Sequence, residues 1–259
     1  MKTTRNASRQ KAIATGVLSL LLGLPVYSAS FALNPSSDAF VTTGPSGNLS
    51  GNNYGGAGAL DVAAPGLAKG EFQSVLQFDL SGARTSFDTQ FGAGQWNIQS
   101  ITLSLTATSP NNAIFNPSAA GQFGISWLQN DSWTEGTGNP NTPTAIGITY
   151  SSLPSFTSAG DESLGTFSFA GGTSGAATYT LSLTPGFLTD ASAGNLVGFR
   201  LFAADNAVSY LFDSRSFGTT SARPLLTVVA VPEPAALVLV GVGAVLLVGA
   251  KRCRRKHQK

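Results

Sequence analysis

Two groups of residues in this chain have types and spacings suited to chemistry. The first is Pro232-Glu233-Pro234, followed by sixteen uncharged residues over 235–250 and then by Lys251-Arg252-Cys253-Arg254-Arg255-Lys256. Prolines two residues apart deny that segment a helical backbone and two amide donors. An extended, unpaired backbone is the form in which a protease cleft receives a chain. The second group is Asp131 and Glu135, with Trp133 between them. Paired carboxylates are the minimum for glycoside hydrolysis. An aromatic face flanked by carboxylates can instead stack on a pyranose ring and accept its hydroxyls.

Composition dictates where the tail sits. Residues 235–250 are all Ala, Val, Leu or Gly, and sixteen helical residues at about 1.5 Å rise reach roughly 24 Å. A hydrocarbon core is about 30 Å thick, so residues 229–231, local thinning or snorkelling of Lys251 and Arg252 must close the gap. The run is apolar on every face and is followed by five cations in six residues, which predicts a transmembrane helix over 235–250 with a cytoplasmic C-terminus. The Pro-Glu-Pro triplet, the apolar run and a basic cluster holding Arg252, Arg254 and Arg255 resemble, in that order, the PEP-CTERM sorting signal of Gram-negative bacteria. The resemblance implies a membrane-embedded protease of the exosortase type that cuts near Pro232, Glu233 and Pro234 and discards or replaces the helix. Anchoring in the inner membrane is then transient.

At the other end, Lys2, Arg5, Arg9 and Lys11 precede and open an apolar run over 12–24, and Ser28-Ala29-Ser30-Phe31-Ala32 supplies small residues. This predicts a signal peptide over 1–32, cut by signal peptidase after Ser30 or Ala32. With both ends set aside the charge reverses. The whole chain carries +2, but residues 33–231 hold five Lys+Arg against twelve Asp+Glu, a net charge of −7. Nucleic acid is excluded as a partner on that balance, because phosphate binding needs clustered cations and Lys69, Arg84, Arg200, Arg215 and Arg223 are scattered.

The sole Cys, His and Met are Cys253, His257 and Met1. Residues 33–231 therefore exclude disulfides, Cys/His zinc sites and Ser-His-Asp or Cys-His catalysis, and no cofactor or metal is predicted. Asp38, Asp61, Asp79 and Asp213 are calcium ligands in kind, but without an Asp-x-Asp-x-Asp-Gly loop they read as solvated strand-end carboxylates or as partners of arginines. Arg215 and Arg223 read as partners of Asp213 or Asp79.

The elements that must position these groups follow from a period of two. Phe72, Leu76, Phe78 and Leu80 fall on one face, opposite Gln73, Gln77 and Asp79; Ile101, Leu103 and Leu105 alternate with Thr102, Ser104 and Thr106. The same alternation marks Phe123/Ile125/Trp127, Tyr179/Leu181/Leu183, Val197/Phe199/Leu201, Val208/Tyr210/Phe212 and Leu225/Thr227/Val229/Val231. These predict half-buried strands separated by Gly/Asn/Pro/Ser loops, with only residues 185–191 able to form a short helix. The expected fold over 33–231 is one all-β domain, a jelly-roll β-sandwich.

Asp38-Ala39-Phe40-Val41, Asn53-Tyr54-Gly55, Leu60-Asp61-Val62, Ser74-Val75-Leu76-Gln77-Phe78-Asp79-Leu80-Ser81, Trp133-Thr134-Glu135-Gly136-Thr137, Phe212-Asp213-Ser214-Arg215 and Ala222-Arg223-Pro224-Leu225 are similar to the DNRLRE-type domain. The resemblance implies a jelly roll akin to carbohydrate-binding modules on secreted and surface proteins. Trp127, in phase with Phe123 and Ile125, reads as core, and Trp96 as the cap of one end of the sandwich. Trp133 stays open between a sugar platform, with Tyr54, Asp131 and Glu135 nearby, and a structural role. The expected protein is a non-catalytic surface or extracellular-matrix component, with exopolysaccharide as the candidate ligand. The alternatives are a glycan-cleaving enzyme using Asp131 and Glu135, and a matrix protein with no ligand.

Overall fold

The computed structural model describes residues 27–108, 115, 120–169 and 175–233. The apolar runs over 12–24 and 235–250, Pro234 and the cluster of Arg252, Arg254 and Arg255 lie outside those residues. Among the described residues the strands are β1 (Ala29–Leu33), β2 (Ser37–Thr42), β3 (Ala59–Ala63), β4 (Phe72–Asp79), β5 (Trp96–Thr106) and β6 (Gly121–Leu128), of which β4, β5 and β6 are segments marked by alternation. They continue as β7 (Glu162–Phe169), β8 (Ala176–Leu181), β9 (Leu196–Ala203), β10 (Ser209–Asp213) and β11 (Leu225–Pro232), with helices α1 (Ser81–Phe91) and α2 (Pro185–Ala193) inserted.

The strands make two antiparallel sheets, as expected of an all-β sandwich. One has the order β1-β11-β5-β8; the other runs β10-β3-β4-β9-β6-β7, with β2 paired to β4. Neighbours such as β1 and β11 are far apart in sequence, so the sheets close only when the whole domain is assembled. The main core lies between the sheets and includes Leu76, Phe78, Ile101, Leu103, Phe123, Phe199, Phe212 and Val228. Trp127 joins it, as the alternation predicted. Trp96 opens β5 and donates its indole N–H to Asp88 Oδ1 at 2.8 Å, tying the end of α1 to the sheet.

Four features depart from the sequence reading. β4 is buried on both faces, because Gln73 and Gln77, expected in solvent, are each 4% exposed. A second apolar cluster of Ala39, Val41, Val75, Leu128, Trp133, Ile148 and Leu153 packs over that face. Helix α1 was not expected; it buries Ala83 and Phe87. Strand β7 was also missed, and its pairing with β6 shifts register between Ile125 and Ser126, beside Gly165 at φ 141°. Finally, the strands begin at Ala29, so β1 spans both bonds at which signal cleavage was expected.

Helix α2 matches the expected short helix and receives its cap from another element. Glu162, the first residue of β7, accepts the N–H groups of Gly186 and Phe187, both at 2.9 Å, and the Thr184 hydroxyl at 2.5 Å. Those bonds satisfy orphan donors of the first turn and hold the Glu162 carboxyl below its usual range. Among the described residues no helix is long and apolar enough to cross a membrane.

Candidate functional site

The tail motif begins inside the sheet. Strand β11 is held on one side by β1, with Ala29 opposite Ala230, and on the other by β5, with Trp96 opposite Pro232. One residue further, the Glu233 N–H donates to the Gln95 carbonyl at 2.9 Å. The Pro232-Glu233 segment is therefore extended, as its prolines require, but it is paired. This corrects the expectation of a free strand: a proteolytic cleft must either take the chain beyond Glu233 or peel Pro232 and Glu233 from β5.

The proposed sugar platform is taken apart by packing. Trp133 is 3% exposed and sits in the apolar cluster over β4, so neither ring face is open to a pyranose. The physical reason is that Gln77 donates its side-chain amide to the carbonyls of Asp131 and Trp133, the latter at 3.2 Å. Those bonds draw the loop down onto the sheet. Gln77 is thus a backbone anchor where the alternation predicted a solvated side chain.

Asp131 and Glu135 are held by different neighbours. Asp131 lies against Gly198 of β9, where an added Cβ would come within 2.9 Å of the Asp131 Cβ. Burial, with Asp190 adding to it, raises its pKa. Glu135 instead pairs with Arg215: Nε donates to Oε1 at 2.6 Å and the guanidinium donates a second bond to Oε2. Glu135 Oε1 also accepts the Asp38 N–H at 3.0 Å, and Asp38 Oδ2 accepts the Arg215 N–H at 2.7 Å. A fork-matched pair of this kind occupies both carboxylate oxygens, and the Asp38 N–H takes a further lone pair, so neither oxygen is left free for a substrate. Arg215 was expected on Asp213 or Asp79 and is on Glu135. Arg223 was expected on the same acids and donates to the Phe217 carbonyl at 2.9 Å.

Asp38 is the unusual member of that cluster. It is 1% exposed, its Oδ1 has no hydrogen-bond partner among the described residues, and burial pushes its pKa up to about 7 despite the Arg215 N–H. Asp61 and Asp213, expected like Asp38 in solvent, are 4% and 2% exposed, because covering loops lie over their strands, and desolvation raises their pKa values. Asp79 accepts the Ser81 N–H at 2.9 Å at the start of α1. Among the described residues no three His, Cys, Asp or Glu side chains come together as a metal-binding group.

Tyr54 lies in a third apolar cluster with Phe40 and Phe72. Its ring stacks on Phe40 with centroids 4.6 Å apart and planes at 9°. The two rings line a cavity of about 270 Å³ together with residues that include Phe72, Phe115, Asp61, Pro140 and Pro143. Asp61 is 4% exposed, and its Oδ1 has no hydrogen-bond partner among the described residues.

Sequence reasoning also missed Asn53, which is fully buried. Its amide donates to the carbonyls of Glu135 at 2.6 Å and Ile148 at 2.8 Å, while its Oδ1 accepts the N–H groups of Gly55 and Gly138. One side chain thereby clamps three loop segments. Gly136 is required there, since it has φ 75° and an added Cβ would stand 2.3 Å from Asn53 Oδ1. The cluster of Asn and Gly around residues 51–56 is the signal that could have found this clamp.

No curated protein matches the chain. Residues 230–256 match the PEP-CTERM protein-sorting motif, a signature of exported proteins processed by exosortase, and the match starts on the last strand of the sandwich.

Proposed function

We propose that the chain is an exported, non-catalytic β-sandwich of the surface or extracellular matrix, sorted and trimmed at its PEP-CTERM tail. The single observation that carries this is the sorting motif over 230–256, continuous with β11. The segment before β1 acts as the secretory signal. The run over 235–250 spans the inner membrane transiently, with Arg252, Arg254 and Arg255 on the cytoplasmic side, until exosortase removes it near Pro232-Glu233-Pro234. The domain is read as a DNRLRE-like jelly roll. Its non-catalytic character is supported by the Glu135–Arg215 pair and by the separate neighbours of Asp131. The test is fractionation of the native cell with and without its exosortase. Release to the surface or medium only when the protease is present supports the reading; release in its absence overturns it. Turnover of labelled polysaccharide by the purified domain would restore the glycan-cleaving alternative.

A second reading, that the domain holds exopolysaccharide, is favoured by the cavity of about 270 Å³ beside Tyr54 and Asp61, which are 5% and 4% exposed, so that a sugar ring enters only where the covering side chains part. Retention of the domain on the native polysaccharide, lost in Tyr54→Ala and kept in Trp133→Phe, supports it. Equal retention of wild type and Tyr54→Ala refutes it.

A further inference from the structure

We propose that the signal is removed at the Ser28–Ala29 bond, so that β1 survives as a permanent edge strand beside the sorting motif. The proposal rests on reading the N-terminal segment as a secretory signal and moves the cut from after Ser30 or Ala32, inside β1, to the bond at the strand's leading end.

Strand β1 is built as part of the domain. Each of its residues pairs with β11 in unbroken register, from Ala29 opposite Ala230 to Leu33 opposite Leu226. Ala29 is 8% exposed and belongs to the main core, and Phe31 and Leu33 pack against that core. The Phe31 ring also reaches α1, where an added Cβ on Gly82 would stand 3.1 Å from it. A cut after Ser30 would delete Ala29 and its rung; a cut after Ala32 would delete Phe31 as well. Either would strip β11 of its outer hydrogen-bond partners, beginning with the Ala29–Ala230 rung two residues before Pro232, and would remove apolar side chains from the core.

The bond that spares β1 has suitable flanks. Tyr27 and Ser28 precede the strand, and Tyr27 is 64% exposed. Val26 and Ser28 occupy the third and first positions before the Ser28–Ala29 bond, both short side chains of the kind the peptidase selects there. A cut one bond later would put the bulky Tyr27 third. Hydrolysis at Ser28–Ala29 consumes one water, leaves the carboxylate on Ser28 and places the new α-amino group on Ala29, at the end of β1.

The test is N-terminal sequencing of the full chain after export in cells that carry signal peptidase, with Ser28→Leu, Ser30→Leu and Ala32→Leu in parallel. Ser30 and Ala32 are exposed, so their variants leave the core untouched. The expected N-terminus is Ala29, lost with accumulation of precursor in Ser28→Leu and unchanged in the other two. An N-terminus at Phe31 or Leu33, or loss of cleavage in Ser30→Leu or Ala32→Leu, overturns the proposal. A wild-type chain that still carries residues 2–24 overturns the signal reading itself, a different result on the same gel.

Discussion

The two faces of β4 bury nearly the same fraction of their side chains by opposite means. On one face Leu76 and Phe78 stand beside Phe199 and Val197 of β9 and fill the space between the sheets with apolar atoms, while Ser74 of the same face donates only within its own sheet, to the Asp61 carbonyl at 2.9 Å. On the other, Gln73, Val75 and Gln77 lie under the long connection between β6 and β7. There Gln77 is bonded to that loop's backbone, and Gln73 accepts from Arg200 Nε at 2.6 Å. The first face makes the sandwich cohere; the second fixes one covering loop in one position. Burial driven by area is non-directional, whereas buried amides work only in one geometry.

That contrast can be broken from either side. The largest effect is expected for Phe199→Ala, which opens a cavity in the inter-sheet core and should cost about 3–5 kcal/mol. The check is denaturant unfolding, and an unchanged midpoint would remove Phe199 from the core. Gln77→Ala should cost less, about 1–3 kcal/mol, for two loop carbonyls left without a partner. Its signature is local: faster hydrogen exchange and altered Trp133 fluorescence in the loop, with the inter-sheet strands protected as before. Uniform loss of protection would mean that both faces belong to a single cooperative unit.

The subtlest test is of pH. Asp38 carries a folded pKa of about 7 against an ordinary 3.8. Well below pH 3.8 it is protonated in both states and its contribution is fully present. As pH rises through 7 the unfolded chain ionises first and stability is lost. Asp38→Asn, which keeps an acceptor for the Arg215 N–H, should flatten the fall in stability between pH 4 and 7. The same slope in wild type and variant would deny Asp38 that role.

Seven strands marked by alternation were legible as strands, and so was α2, but β11 was read in the wrong phase: its run is apolar in both phases, and Leu226, Val228 and Ala230 face the core while Leu225 is 36% exposed. β1, β2 and β3 carried no such mark. Strand β7 was hidden because its register shift beside Gly165 throws Leu164 out of phase with Phe167 and Phe169. Helix α1 was hidden by its Ser, Gly and Thr content, although Leu80, Ala83, Phe87 and Phe91 carry helical spacing. The tail was legible because its chemistry is local: prolines, an apolar run and cations in order. The Trp133 loop was not, since a lone aromatic between carboxylates has no periodicity to reveal its side. Its placement depends on Gln77 and on a Glu135–Arg215 pair that spans 80 residues. The pairing of Glu233 with Gln95 was invisible for the same reason, because it comes from the fold of β5.

The most direct test of export and trimming is intact mass spectrometry of the protein recovered from the native surface or medium, beside Pro232→Ala and Glu233→Ala variants. The account predicts a wild-type chain that has lost its signal and ends near Pro234, with that species missing in both variants. A wild-type chain still carrying residues 235–259 would contradict it and make the protein a permanent membrane-anchored domain.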